Sequence, residues 1–295
     1  RTHRLHTWLA RYLGAAEQPP EYLAKVGTWW LISAVARAEQ PGCQADHMLV
    51  LEGAQGLRKS TACRLLGGAW YGTMTAELGS KDAMLALAGR WIVEVDELAG
   101  MRRAEVERIK SYITSTVDIF RPPYGRSVIS VPRQTVLIGT TNSDAWMGDD
   151  TGGRRFWPVR CGHVDTGALE RDRDQLWAEA FAAYCAGERW WPEADEAELL
   201  AGEVEQRAQV DPWTGRVERH IASCDETSTE ELLLTAIGRD PGTWNRGDEM
   251  RVGRILTQLG WVRRRAARRA DGSRPWVYRP STEGAAAQGG PIGPT

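Results

Sequence analysis

The chain lacks the cysteine spacing that makes sites or staples. Its five cysteines, at 43, 63, 161, 185 and 224, form no C-x-x-C pair. That argues against a zinc site and a disulfide framework, and it fits a reducing cytoplasm. No apolar run approaches the length of a membrane span, and no signal peptide opens the chain. An excess of one charge is missing too: a formal net charge of −2 gives no whole-molecule field that would announce a nucleic-acid binder. There is no internal repeat. The chain begins at Arg1 rather than methionine, which reads as a fragment or a processed product. What is abundant is apolar material. At 42% of 295 residues it can fill one large core or two modest ones, and the fourteen tryptophans are read mainly as packing.

The most informative segment is Leu51-Glu-Gly-Ala-Gln-Gly-Leu-Arg-Lys-Ser-Thr61. A short apolar run, Met48 to Leu51, enters a glycine-containing loop that ends in Lys59-Ser60 and leads into a helical segment, Thr61 to Leu66. This is the layout of a phosphate-binding loop. Backbone amides and a helix N-terminus face phosphate, a lysine reaches the outer phosphates, and a hydroxyl holds magnesium. Gly53, Gln55, Gly56, Lys59, Ser60 and Thr61 are the candidate ligands of ATP and Mg²⁺. Arg58 stands where the strict pattern has its second glycine, and it is tolerated if its backbone angles are ordinary and its side chain points away.

Organisation follows from periodicity. Residues 1 to 40 read as two helices broken at Pro19-Pro20. From 48 to 160 strands and helices alternate, which indicates an α/β domain with a central sheet covered by helices. The expected strands are Met48–Leu51, Trp91–Val95, and Ser127–Val131 joined to Thr135–Thr140 across Pro132-Arg133. The expected helices are Thr61–Leu66, Lys81–Leu87 with Ser80 as N-cap, and Arg103–Thr114. Residues 166 to 208 are helical. Beyond 216, helices at Glu230–Ile237 and Asp248–Leu259, the latter closed by Gly260, precede strands Trp261–Arg269 and Trp276–Tyr278 turning at Asp271-Gly272. That order suggests a winged-helix-like module. The glycine-, alanine- and proline-rich end reads as disordered.

Four further groups bear chemistry. Trp91-Ile-Val-Glu-Val-Asp-Glu97 is an apolar strand ending in acids: Asp96, or Glu94 on the same strand face, suits a metal, and Glu97 suits the polarisation of an attacking water. The bland reading is a strand running into an acidic turn. Val136 to Gly139 leads into Thr140-Thr141-Asn142, where Asn142 is either a turn cap or a contact to the terminal phosphate or its water. Arg154 and Arg155 are either a solvated face or, in an oligomer, a finger reaching a neighbour's nucleotide. Arg121-Pro-Pro-Tyr124-Gly-Arg126 is either a rigid surface turn or a loop that follows a nucleic-acid backbone and stacks on bases. His47 is read as a structural residue at the strand entry.

The ordered set Glu-Gly-Ala-Gln-Gly-Leu-Arg-Lys-Ser-Thr, Trp-Ile-Val-Glu-Val-Asp-Glu-Leu, Arg-Pro-Pro-Tyr-Gly-Arg, Pro-Arg-Gln, Gly-Thr-Thr-Asn and Gly-Gly-Arg-Arg-Phe-Trp-Pro-Val resembles the virulence-associated protein E family. These are phage- and mobile-element-encoded P-loop proteins, similar to superfamily 3 helicases of the AAA+ class and often fused to an upstream primase region. The resemblance covers roughly residues 1 to 190. It implies a P-loop AAA+ type core and Lys59 and Ser60 on ATP and Mg²⁺. It implies Glu97 with Asp96 or Glu94 as the acidic motif, Asn142 as sensor, and Arg154 or Arg155 as finger. It also implies the 121–126 loop as the DNA-facing element of a ring. Family members often carry an apolar residue at the position of Asp96, which favours Glu94 and Glu97.

From Arg246 to Arg279 ten arginines stand against Asp248, Glu249 and Asp271. Arg263, Arg264 and Arg265 beside Trp261 suit phosphate recognition, the alternative being an arginine-rich solvated hairpin. The expected organisation is a helical lead-in (1–45), a P-loop ATPase core (46–165), a helical segment (166–215), a winged-helix-like basic module (216–280) and a tail (281–295). The function expected is an ATP-dependent DNA translocase or helicase, a homo-oligomeric ring such as a hexamer around single-stranded DNA. The alternative is a nucleotide-dependent DNA-binding switch with little turnover.

Overall fold

Consecutive apolar residues can all be buried only where a strand is covered on both faces. That is the state of β1 (Met48–Glu52) and β6 (Val136–Thr141), each buried along its whole length. The two run parallel, with Leu49 opposite Ile138. β3 (Ile92–Val95) pairs with the other edge of β6, β2 (Tyr71–Thr73) lies beyond β3, and β7 (Phe156–Arg160) flanks β1. The sheet is all-parallel in the order β2-β3-β6-β1-β7. The computed structural model describes residues 3–74, 83, 85, 87–101, 103–122, 125–143, 146, 153–207, 211–266 and 274–281.

Side-chain alternation along each strand divides the core in two. Leu49, Leu51, Ile92, Ile138, Trp157 and Val159 face one layer. That layer is built from α1 (Trp8–Leu13), α2 (Pro20–Glu39), α3 (Lys59–Gly67) and α5 (Thr166–Cys185). Met48, Val50, Val93, Val95, Leu137 and Phe156 face the other, covered by Ile109 and Ile113 of α4 (Arg103–Thr114) and by Trp146. The helical lead-in is therefore part of the sheet's own core: Trp30 of α2 is fully buried and donates from Nε1 to Leu137 O at 3.0 Å. α6 (Ala197–Glu205) packs near β7.

One expectation needs correction, and three strands went unread. β5 (Ile129–Pro132) does not join β6. It pairs antiparallel with β4 (Val117–Phe120), a strand the sequence reading missed, while β6 enters the central sheet. The reason is burial. β6 is apolar enough for a doubly covered position, whereas β5 is exposed throughout. β7 was hidden in Phe156-Trp157-Pro158-Val159, and β2 is too short to carry a period. The helix expected at Lys81–Leu87 and its Ser80 cap lie largely outside the described residues, of which Ala83, Leu85 and Leu87 are helical.

The chain divides into two compact units, Arg1–Gln209 and Val210–Thr295. The second contains α7 (Thr214–Ile221), α8 (Thr229–Thr235), α9 (Arg246–Gln258) and the antiparallel pair β8 (Trp261–Arg265) and β9 (Trp276–Pro280). Ser228 caps α8 by accepting Glu231 N, and Asn245 with Asp248 closes a reciprocal box at the start of α9. Val217, Leu232, Val252, Leu256 and Trp261 form its core. α7 had no signal in the sequence reading. The expected turn at Asp271-Gly272 and the tail beyond Ser281 lie outside the described residues. Among the described residues no helix is long and apolar enough to cross a membrane.

Candidate functional site

In a parallel sheet the loops at the carboxyl ends of neighbouring strands converge, and ligands bind there. β1 ends at Glu52 and passes into the glycine loop, which delivers Lys59 as the first residue of α3. Lys59 is 6% exposed. Its Nζ donates to Gly53 O at 2.6 Å, Ala54 O at 3.0 Å and Asn142 Oδ1 at 3.1 Å. Asn142 follows the end of β6, so two of the expected site residues meet directly. Burial holds the Lys59 ammonium below its ordinary range, partly offset by Asp96 and Glu94 nearby. No side chain caps α3, leaving its first amides to face a ligand, and the Ser60 hydroxyl has no partner among the described residues. A Cβ at Gly56 would meet nothing within 4 Å, so the loop borders open space. Gln55 and Thr61 are exposed on the same loop and first turn.

Arg58 departs from its expectation. Its backbone is left-handed, at φ 67° and ψ 28°, a conformation glycine adopts freely and other residues adopt at a cost of about 1–2 kcal/mol. Its side chain does turn away, Nη1 donating to Thr166 Oγ1 at 3.4 Å. Among the described residues the one other non-glycine with positive φ is Glu97, at 52°. Both strained residues flank this site, where such strain concentrates.

The three acids differ. Glu94 is 1% exposed and already engaged: Tyr71 Oη donates to Oε2 at 2.5 Å, and Thr140 Oγ1 lies 2.8 Å from Oε1. The same Thr140 hydroxyl is 2.9 Å from Asp96 Oδ1, and its single hydrogen serves one carboxylate at a time. Asp96 is exposed, takes Glu97 N–H at 2.9 Å on that Oδ1, and has no partner on its other oxygen among the described residues. Glu97 is exposed at the loop that follows. Among the described residues no three His, Cys, Asp or Glu cluster as a metal site. A cation here would therefore draw on Asp96, Ser60 and ligand oxygens, a donor set that suits magnesium. Tyr71 and Thr140 were missed as site residues. Thr140 is legible as the first polar residue of β6, but nothing before Glu94 points to Tyr71.

Arg154 and Arg155 lie elsewhere. They sit in a short turn before β7, and Phe156 pairs with Met48 at the amino end of β1. Four residue steps separate that register from Glu52, about 13 Å along the strands. They therefore flank the opposite end of the sheet from their own chain's loop. There they help hold the half-buried His47 at a pKa of about 4, behind the larger effect of desolvation. His47 stacks on Trp157 with centroids 4.2 Å apart, the structural role expected.

The 121–126 loop joins β4 to β5. Arg121 donates from Nη2 to Arg126 O at 3.3 Å, and Tyr124 lies outside the described residues. Exposed Ile119, Val128, Ile129 and Val131 surround it. The hairpin's root is fixed by Arg133, buried under Asp118 and stacked 3.6 Å over the Tyr112 ring. In the second unit Arg263, Arg264 and Arg265 are exposed on β8.

A family model described as the virulence-associated protein E-like domain matches residues 1–210. No curated protein sequence matches. Among solved structures, the apo structure of the NrS-1 C-terminal region (305–718) is 16% identical at a TM-score of 0.52, covering 95% of this chain and 76% of that one. An A-form apo structure of the same region is 14% identical at 0.51, covering 94% and 75%. At these identities the likeness is one of fold.

Proposed function

The chain belongs to the virulence-associated protein E-like family, and from that premise we propose that it is an ATP-hydrolysing DNA translocase or helicase acting in phage or mobile-element replication. The observation that carries the reading is the meeting of Lys59, Asn142 and the Thr140–Asp96 pair at the carboxyl ends of three adjacent parallel strands. It supports a P-loop AAA+ type core. Lys59 exchanges loop carbonyls for phosphate oxygens, and the uncapped amides at the start of α3 share that charge. Ser60 and Asp96 would hold the metal, and the Thr140 hydroxyl positions Asp96 when it donates to that carboxylate rather than to Glu94. Bound magnesium offsets phosphate charge and fixes its geometry. Glu97 orients the attacking water, and Asn142 links Lys59 to the terminal phosphate.

Arg154 and Arg155, at the far end of the sheet from their own loop, fit this scheme only in trans, in a ring where each chain completes its neighbour's site. The 121–126 loop then tracks single-stranded DNA through Arg121, Tyr124 and Arg126. The second unit, read as winged-helix-like from its three helices and hairpin, adds Arg263, Arg264 and Arg265.

A second reading, a nucleotide-dependent DNA-binding switch with little turnover, is favoured by the left-handed Arg58 in a loop built for glycine. Equilibrium binding of a fluorescent ATP analogue with magnesium tests what the two share. Saturable binding weakened at least about tenfold by Lys59→Ala is expected, a loss on the order of 1.4 kcal/mol. Equal binding by the variant sinks both.

A further inference from the structure

The second unit buries Trp261, yet leaves Trp276 43% exposed at the start of β9. An indole is a costly group to leave in water unless something covers it. The guanidinium groups of Arg263 and Arg265 lie 4.4 and 4.1 Å from the Trp276 ring centroid. The antiparallel register explains this, since Arg265 faces Trp276 and Arg263 is its diagonal neighbour on the same face. Neither arginine has a carboxylate partner among the described residues. A ring fixes a guanidinium without neutralising it, so these charges stay available to an anion.

A cavity of about 390 Å³ separates this strand pair from one face of α9. Arg246, Met250 and Arg254 recur there at four-residue spacing, and Met250 is 60% exposed. Among the described residues the cavity thus has arginines on both walls, aromatic rings and a thioether between them, and a single carboxylate, Glu249. Its volume suits a nucleotide-sized group. Cations around a flat apolar platform match a phosphodiester with a free base. A duplex keeps its base faces stacked, so only an unpaired base can lie on Trp276.

Resting on the reading that this chain acts on DNA, we propose that the groove between α9 and the β8–β9 pair binds an unpaired nucleotide of single-stranded DNA. The base stacks against Trp276 and Met250, and its phosphates lie on Arg246 and Arg263.

The test uses the full chain without ATP and two probes, a fluorescent oligothymidylate and a blunt duplex of equal length. Trp276→Ala is expected to weaken oligothymidylate binding about tenfold, the size of one lost stack. The salt dependence stays unchanged because no charge is removed, duplex binding stays within about twofold, and Trp276→Phe restores most of the loss. A 5-iodouracil oligonucleotide is expected to photocrosslink at Trp276. Equal loss for both probes, or the absence of that crosslink while the protein binds DNA, overturns the groove and leaves the proposed motor standing. No binding of either probe by the wild-type chain overturns the groove and the DNA reading together. Trp276 lies outside the buried core, and matching thermal melts of variant and wild type separate lost binding from lost folding.

Discussion

Arg58 shows how a single residue can be read correctly in one respect and wrongly in another. Its place in the loop and its outward side chain follow from the motif, but its left-handed backbone does not, because a sequence carries no φ. Glycine at 58 is expected to stabilise the fold by about 0.5–1 kcal/mol. Relief of roughly 1–2 kcal/mol of left-handed strain is partly cancelled by glycine's freedom in the unfolded chain. Denaturant midpoints of Arg58→Gly and wild type measure this, and an equal or lower midpoint contradicts the strain. Lys59 was legible because it closes the glycine loop and opens a helix, Asp96 and Asn142 because each follows the last residue of a strand. Glu94 and Asp96 were legible as candidate metal partners but not separable. The separation came from Tyr71 and Thr140, which bury one acid and tether the next.

Strands buried on both faces announced themselves, whereas the sheet-edge strands β2 and β7 and the partner strand β4 did not. Met48–Leu51 and Val136–Gly139 read as strands because their apolar runs leave no solvent face. β5 is exposed and β4 only partly buried, so their pairing rests on side chains distant in sequence. Chief among these is Arg133, which ties β5 to Asp118 of β4 and to Tyr112 of α4. Arg133→Leu leaves Asp118 without its cation and is expected to cost about 3 kcal/mol of stability. Hydrogen exchange over 117–132 is expected to quicken more than over β1 and β6, and adding Asp118→Leu is expected to recover part of the loss. Uniform exchange across both regions contradicts a local anchor.

At the scale of the molecule, the first unit is closed by a buried cluster with no trace in local sequence. Glu52, at the root of the phosphate loop, accepts from Trp146 Nε1 at 2.6 Å and from Arg207 Nε at 3.0 Å. Arg207 also reaches Glu203 at 2.6 Å, which takes Gln18 Nε2 at 2.7 Å. The loop's root is thereby tied to both ends of the unit, and burial pushes the Glu52 carboxyl up despite those partners. Partners 155 positions apart cannot be read from spacing, whereas the ordered run of motifs could be. The arginines before β7 lie at the opposite end of the sheet from their own chain's loop, so the proposed finger role needs a neighbouring chain. The central claim, a DNA-coupled ATPase, is tested most directly by ATP hydrolysis with and without single-stranded DNA, in wild type and Lys59→Ala. Turnover that rises with DNA and vanishes in the variant is the predicted result. Tight ATP binding with no turnover under either condition, or full turnover by Lys59→Ala, contradicts it.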